Sequence, residues 1–120
     1  MASLNGKRIL VVEDEFLVAG FIEDALGELG AIVVGPVYRI EEGLVLAREE
    51  PLDGAVLDIN LNDERSDPIA DALKARGIPF IFATGYGRSE KGKGVPVVDK
   101  PYTEEKLADA LDRVLTPSTG

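Results

Sequence analysis

The feature that most constrains the fold is the run at residues 55–61, which reads Ala-Val-Leu-Asp-Ile-Asn-Leu. An apolar run of this length is typical of a parallel strand that is covered on both faces. Asp58 breaks the run, and the carboxyl ends of the strands form the ligand crevice of an open α/β sheet. Asp58 is therefore a candidate nucleophile. On its own it also has a plainer interpretation, as a cap of the following loop.

Further strands and helices alternate with this run along the chain. Strands are predicted at 8–12, 31–37, 79–83 and 95–98, and helices at 15–29, 40–49, 67–75 and from a Thr103 cap onward. In the third helix Asp67 is the expected cap and Pro68 lies in the first turn. Five strands with helical crossovers predict a doubly wound parallel sheet. The segment 85–94 contains four glycines and few apolar residues, and we expect a short or mobile element there.

The length of 120 residues is typical of one domain that buries its own core. We expect a single domain over 1–120, with a core at 7–115, a flexible tail at 116–120 and no output domain. No apolar stretch approaches the roughly 18 residues of a membrane span, and the amino terminus lacks a signal-peptide hydrophobic region. These features predict no membrane partner and a cytoplasmic location.

The composition excludes several classes of active site. The chain has no cysteine and no histidine, so it cannot contain a Ser-His or Cys-His nucleophile, a disulfide or a thiolate metal site. A metal site must then be built from oxygen, which favours a hard cation such as Mg²⁺. The formal net charge of −9 argues against nucleic acid as a partner, because phosphate binding needs a basic face.

Polar residues follow the predicted strands at their carboxyl ends. They are Glu13 and Asp14 after the first strand, Asp58 at the third, Thr84 after the fourth and Lys100 after the fifth. Each has an ordinary alternative when it is considered alone: a helix cap for the acids, a backbone-bonded hydroxyl for the threonine and a solvated charge for the lysine. Because the carboxyl ends of parallel strands meet at one edge of a sheet, we expect these side chains to converge.

With these residues in place, the chain resembles the receiver domains of two-component response regulators over essentially its whole length. The family motif matches at Glu13, Asp14, Asp58, Asn60, Thr84, Lys100 and Pro101. Residues 82–86 also resemble the Phe-Ala-Thr-Gly-Tyr signature of a subgroup of single-domain receivers. The resemblance implies a flavodoxin-like (βα)5 fold with strand order 2-1-3-4-5.

The resemblance also implies a chemistry. Asp58 would accept a phosphoryl group from a sensor histidine kinase or a histidine phosphotransfer protein, in a reaction that requires Mg²⁺, with Mn²⁺ or Ca²⁺ as substitutes. A cation is needed because the nucleophile, its acidic neighbours and the phosphoryl oxygens are all negative. By resemblance, Asp14 and Asp58 ligate the metal through their carboxylates and Asn60 through its backbone carbonyl, while Glu13 acts through a water molecule.

The same resemblance assigns the remaining motif residues. Lys100 would supply positive charge to the phosphoryl oxygens, and the Thr84 hydroxyl would donate to one of them and move toward it. Many receivers carry an aromatic residue three positions before the lysine, whereas this chain carries Val97. We therefore expect the signal to pass through ordering of the 85–94 segment, with a switch set of Thr84, Gly85, Tyr86, Val97 and Tyr102.

The first predicted helix carries more apolar residues than one buried stripe uses. We expect Phe16 and Leu17 to remain exposed, and the set Phe16, Leu17, Val18 and Phe21 to dock the helical bundle of the kinase. The alternative is that all of them pack inside.

Three functions are compatible with these residues. The favoured one is a phosphoacceptor that signals through contacts with other proteins, among them a downstream protein. It would catalyse its own phosphorylation and dephosphorylation without being a conventional enzyme. The second is a receiver-like adaptor or phosphate sink. The third is an aspartyl-phosphate phosphatase, which would need an acid two residues after the nucleophile, where this chain has Asn60.

Overall fold

The apolar runs of the sequence pair into a parallel sheet that carries helices on both faces. The computed structural model describes residues 4–58, 60–61, 64–84, 97–99 and 103–115. The strands are β1 (Arg8–Val12), β2 (Ile32–Val37), β3 (Gly54–Asp58), β4 (Asn60–Leu61), β5 (Glu64–Arg65), β6 (Phe80–Thr84) and β7 (Val97–Asp99). The helices are α1 (Phe16–Glu28), α2 (Ile40–Glu49), α3 (Asp67–Ala75) and α4 (Glu104–Leu115).

The main sheet is ordered β2-β1-β3-β6, with the short β7 beside β6. All of its pairings are parallel. Neighbouring parallel strands need crossovers, which α1, α2 and α3 supply within the described residues. The predicted α/β class with a parallel sheet is confirmed.

The core divides into two layers because alternate residues of each strand point to opposite faces. One layer joins α1 and α4 to one face of the sheet and includes Ile9, Val11, Val56, Ile81, Ile22 and Leu107. The other joins α2 and α3 to the opposite face and includes Leu10, Leu57, Phe82, Ala47 and Leu73. Burial of each large side chain stabilises the folded state by roughly 1.5–3 kcal/mol. Both faces of the central strands therefore contribute to the stability of the core.

The central run at residues 55–61 contributes to two different strand pairings. The main-sheet strand ends at Asp58, which pairs with Ala83 of β6. Asn60 and Leu61 instead pair antiparallel with Arg65 and Glu64. The prediction that the buried strand ends at Asp58 is confirmed, whereas the separate pairing of Asn60 and Leu61 was not predicted, because an apolar run alone does not show which partner each residue has.

Helix beginnings confirm one predicted cap and correct another. The Thr103 Oγ1 accepts a hydrogen bond from the Lys106 N–H at 3.0 Å, as expected for the cap of α4. At α3 the N-cap position is Ser66, and Asp67 is the first helical residue. The prediction of Asp67 as the cap is wrong because its carboxylate is engaged by Arg65 instead.

The fifth strand, predicted at 95–98, continues one residue past its predicted end. Its described part is β7, which includes Asp99 paired with Thr84. The predicted tail at 116–120 and the predicted mobile element at 85–94 lie outside the described residues. Among the residues that are described, no helix combines the length and hydropathy that a membrane crossing requires.

The amino-terminal edge of the sheet is held by Arg8. Its Nε donates to the Pro51 carbonyl at 2.7 Å, and its Nη2 lies 2.9 Å from the Glu50 Oε1. Its backbone N–H donates to the Asp53 Oδ2 at 2.9 Å, and the Asp53 N–H returns a bond to the Arg8 carbonyl. These hydrogen bonds connect the start of β1 to the loop that leads from α2 into β3.

Candidate functional site

Three carboxylates meet at the carboxyl-terminal edge of the sheet. Val12, the last residue of β1, pairs with Leu57 of β3. Continuing that register by one residue brings Glu13 level with Asp58, with Asp14 next along the chain. One carboxylate oxygen from each of Glu13, Asp14 and Asp58 lies within 4.8 Å of the others. The convergence of these three predicted residues follows from strand order and register.

Backbone hydrogen bonds hold the acidic turn after β1 in place. The Glu13 N–H donates to the Val37 carbonyl at 3.0 Å, which extends the pairing of β1 with β2. The Glu13 Oε2 in turn accepts the Glu15 N–H at 3.0 Å. The carboxylate therefore closes the turn into α1 and has a defined position before any ligand binds.

The three acids differ in their access to solvent. Glu13 is 1% exposed and Asp58 is 7% exposed, whereas Asp14 is only partly buried. Charged carboxylates at such short distances repel one another, and the repulsion grows as burial lowers the local dielectric. A cation between them would remove that cost.

The donor set fits Mg²⁺. This ion prefers oxygen ligands at about 2.0–2.1 Å in octahedral geometry and keeps several waters when it binds one or two carboxylates. Glu13, Asp14 and Asp58 offer hard oxygen donors, and small side-chain rotations would bring oxygens within 4.8 Å onto one ion. Within the part of the chain that the structure describes, no other group of three or more acids is this close.

The strand register also locates Thr84, Asn60 and Val97 along the backbone. Thr84 ends β6 one residue beyond Ala83, the partner of Asp58. With about 4.8 Å between strands and 3.3 Å between residues, its Cα lies roughly 6 Å from that of Asp58. Asn60 begins β4, two residues after Asp58, and Val97 begins β7 beside Phe82.

Several predicted residues are not covered by these observations. Lys100, Gly85, Tyr86 and Tyr102 lie outside the described residues. Their predicted roles in phosphoryl binding and switching stay predictions.

The apolar residues of α1 divide between surface and core. Phe16 is 74% exposed and Leu17 is 83% exposed. Phe21 is also exposed, whereas Val18 packs against the core layer of α1 and α4. The Phe16 ring lies 6.1 Å from that of Tyr38, centroid to centroid. Two large apolar side chains are thus exposed to solvent within three residues of Asp14 along the chain.

Sequence reasoning missed two features near the site. One is the β4–β5 hairpin with its ion pair, in which the Arg65 Nε lies 2.9 Å from the Asp67 Oδ2. The available signal was in the sequence alone, where Asn62 and Asp63 are residue types that are common in turns. The other is the ring contact of Tyr38 with Phe16, for which no sequence signal existed because the two residues belong to different elements.

Comparison with known proteins gives relatives over almost the whole chain. No family model matches. The solution structure of SdrG from Sphingomonas melonis Fr1 is 41% identical, covers 92% of this chain and 96% of its own, and superposes with a TM-score of 0.79. A second SdrG structure, in a BeF3-activated conformation, is 39% identical over 97% of this chain and 100% of its own, with a TM-score of 0.77.

Two further relatives place this similarity in a wider group. The phyllosphere-induced regulator PhyR of Methylorubrum extorquens is 31% identical over 122 aligned positions, which cover 96% of this chain and 46% of PhyR. A CheY-like response regulator receiver domain protein from Methanospirillum hungatei is 26% identical, covering 91% of this chain and 93% of its own, with a TM-score of 0.79. The chain spans about half the length of the curated relatives it matches.

Proposed function

Because the chain belongs to the receiver domains of response regulators, we propose that Asp58 accepts a phosphoryl group from a phosphohistidine on a sensor histidine kinase or a histidine phosphotransfer protein. The observation that carries the proposal is the convergence of Asp58 with Glu13 and Asp14 at one edge of the sheet. The activation of SdrG by BeF3, a mimic of the phosphoryl group, supports it.

We propose that Asp14 and Asp58 would hold Mg²⁺ through their carboxylates and Asn60 through its backbone carbonyl, with Glu13 acting through a water molecule. When bound, the ion supplies positive charge for the phosphoryl oxygens and for the negative groups that surround them. The buried position of Glu13 and its bond to the Glu15 N–H keep the site ordered. Mn²⁺ and Ca²⁺ share the preference for oxygen ligands and would compete for the same donors.

In the proposed reaction a carboxylate oxygen of Asp58 attacks the phosphorus atom in line with the leaving imidazole. The new O–P bond forms as the N–P bond breaks, and the imidazole leaves with the electron pair of that bond and takes a proton from solvent. Burial of Asp58 limits the access of competing water, while the partly exposed Asp14 leaves the edge open to the donor. Lys100 and Thr84 would bind the phosphoryl oxygens as the family motif implies.

We propose that the complete domain has the (βα)5 arrangement with strand order 2-1-3-4-5 and belongs to the subgroup with the Phe-Ala-Thr-Gly-Tyr signature. The observed order of four strands and the pairing of β7 with β6 support the arrangement. Residues 82–86 support the subgroup.

Readout of the phosphate is proposed to run from Thr84 through a switch set that also contains Gly85, Tyr86, Val97 and Tyr102. Thr84 is suited to this because it ends β6 one residue beyond the partner of Asp58. Amide relaxation of residues 85–94 should change when beryllofluoride is added to the Mg²⁺-bound protein. Identical relaxation with and without beryllofluoride would exclude this segment from the readout.

Docking of the kinase is proposed at Phe16, Leu17, Val18 and Phe21, because the first two expose large apolar surfaces beside the acidic cluster. Leu17→Ala should lower the rate of phosphoryl transfer from the cognate kinase about tenfold and leave labelling by acetyl phosphate unchanged. Val45→Ala is the matched control, since Val45 is also exposed but lies on α2. Equal transfer rates for the two variants would remove α1 from the docking surface.

The central experiment is labelling of Asp58. Wild-type protein with Mg²⁺ and a phosphodonor should acquire an acid-stable, alkali-labile label, and Asp58→Asn should not. Asp71→Asn on the exposed face of α3 makes the same change of charge away from the site and should label normally. Label on the Asp58→Asn protein at wild-type levels would exclude the proposed nucleophile.

A further inference from the structure

An exposed ion pair lies on the segment that follows Asp58. The guanidinium of Arg65 donates two hydrogen bonds to the carboxylate of Asp67, from Nε to Oδ2 at 2.9 Å and from Nη2 to Oδ1 at 3.3 Å. The side chains are 42% and 53% exposed. The same pair of guanidinium N–H donors can also bind two oxygens of a phosphoryl group.

The hairpin brings this arginine back toward the acidic cluster. Arg65 pairs with Asn60 across the β4–β5 ladder, and paired Cα atoms in such a ladder are about 4.5–5.5 Å apart. Asn60 follows Asp58 by two residues, which span at most about 7 Å. The Cα atoms of Arg65 and Asp58 are thus no more than about 13 Å apart. An extended arginine side chain and an aspartyl phosphate together bridge that separation.

We propose that Arg65 contacts the phosphoryl group on Asp58 and exchanges Asp67 for it when that group arrives. This inference rests on the proposed function. An exposed ion pair is held weakly because water and salt screen it. A phosphoryl group carries more negative charge than one carboxylate and offers more acceptor oxygens. It therefore competes well with Asp67 for the guanidinium of Arg65. Asp67 then acts as a positioning residue that keeps the guanidinium at the site while the phosphoryl group is absent.

The experiment measures beryllofluoride affinity of the Mg²⁺-bound protein by titration, together with the rate of Asp58 labelling by acetyl phosphate. Arg65→Gln should weaken beryllofluoride binding and slow labelling by about tenfold. Arg65→Lys keeps the charge without the pair of guanidinium N–H donors and should lie between that variant and the wild type. Asp67→Asn releases the guanidinium and should tighten binding two- to threefold, an effect that a structural role of the ion pair would not produce.

Arg48→Gln is the matched control because it removes the same charge from the exposed last turn of α2. If Arg65→Gln behaves like Arg48→Gln while the wild type binds beryllofluoride and is labelled at Asp58, the inference is overturned and the proposed function stands. If the wild type neither binds beryllofluoride nor is labelled, both are overturned.

Discussion

The two edges of the sheet use acidic residues in opposite ways. At the amino-terminal edge, Glu50 and Asp53 each bond to Arg8, so negative groups are matched by a guanidinium or a backbone N–H. At the carboxyl-terminal edge, Glu13, Asp14 and Asp58 are brought within 4.8 Å of one another. The first arrangement holds the start of β1 in place, and the second gathers three carboxylates that could hold a metal ion.

This difference indicates where stability and function lie. Hydrogen-bonded opposite charges lower the free energy of the folded state, whereas clustered carboxylates raise it unless a cation is bound. The burial of Glu13 and Asp58 shows that the fold tolerates that cost at one edge. Variants at the carboxyl-terminal edge should therefore change chemistry more than stability, and variants at the amino-terminal edge should do the reverse.

The largest expected effect comes from Asp14→Asn. Loss of a carboxylate that is proposed to ligate the metal should slow Mg²⁺-dependent labelling of Asp58 by about 100-fold. Because one like charge is removed, the free energy of unfolding in EDTA should stay the same or rise. Labelling kinetics and urea unfolding measure the two quantities. The proposed difference between the two edges is contradicted if Asp58 of this variant is labelled at the wild-type rate. It is also contradicted if the variant has a lower free energy of unfolding than the wild type in EDTA.

Arg8→Ala tests the other edge. It should lower the free energy of unfolding by about 2 kcal/mol, because the Pro51 carbonyl and the Glu50 carboxylate each lose a charge-assisted bond. The labelling rate per folded molecule should not change. Urea unfolding measures the loss, and Lys74→Ala on the exposed face of α3 serves as the control for charge. A free energy of unfolding equal to that of the control would show that the side-chain contacts of Arg8 do not stabilise the fold.

Thr103→Ala asks whether the carboxyl-terminal edge also contains purely structural contacts. The Thr103 Oγ1 caps α4 by accepting the Lys106 N–H, and loss of such a cap costs about 1 kcal/mol. Thermal unfolding should show this loss, while Thr103→Ser, which keeps the hydroxyl, should behave like the wild type. Equal losses in both variants would point to packing of the methyl group instead of the cap.

Ser66→Ala has the smallest expected effect and the opposite sign. Ser66 occupies the N-cap position of α3 without a side-chain cap bond, and its buried Oγ has no hydrogen-bond partner among the described residues. Removing a buried unsatisfied hydroxyl should leave the free energy of unfolding unchanged or raise it by up to about 1 kcal/mol. A loss similar to that of Thr103→Ala, measured by the same thermal unfolding, would show that the hydroxyl is bonded in solution.

Much of the site could be predicted from the sequence because its acids stand where apolar runs stop. Burial of alternating and continuous apolar residues is a local pattern, so the positions of β1, β2 and β6 and of all four described helices were predicted to within about two residues. The end of each run marks the end of a strand. Because parallel strands share a carboxyl-terminal edge, the sequence predicted that Glu13, Asp14 and Asp58 lie close together.

The sequence by itself thus determined the strands of the main sheet, the helices between them and the edge where the acids gather. Only the tertiary structure decided that Asn60 and Leu61 pair with a second short strand, that Arg8 is matched with Glu50 and that Arg65 binds Asp67. The physical reason is that each of these depends on which partner a residue has. A partner distant in sequence or across a short hairpin leaves no periodic pattern along the chain.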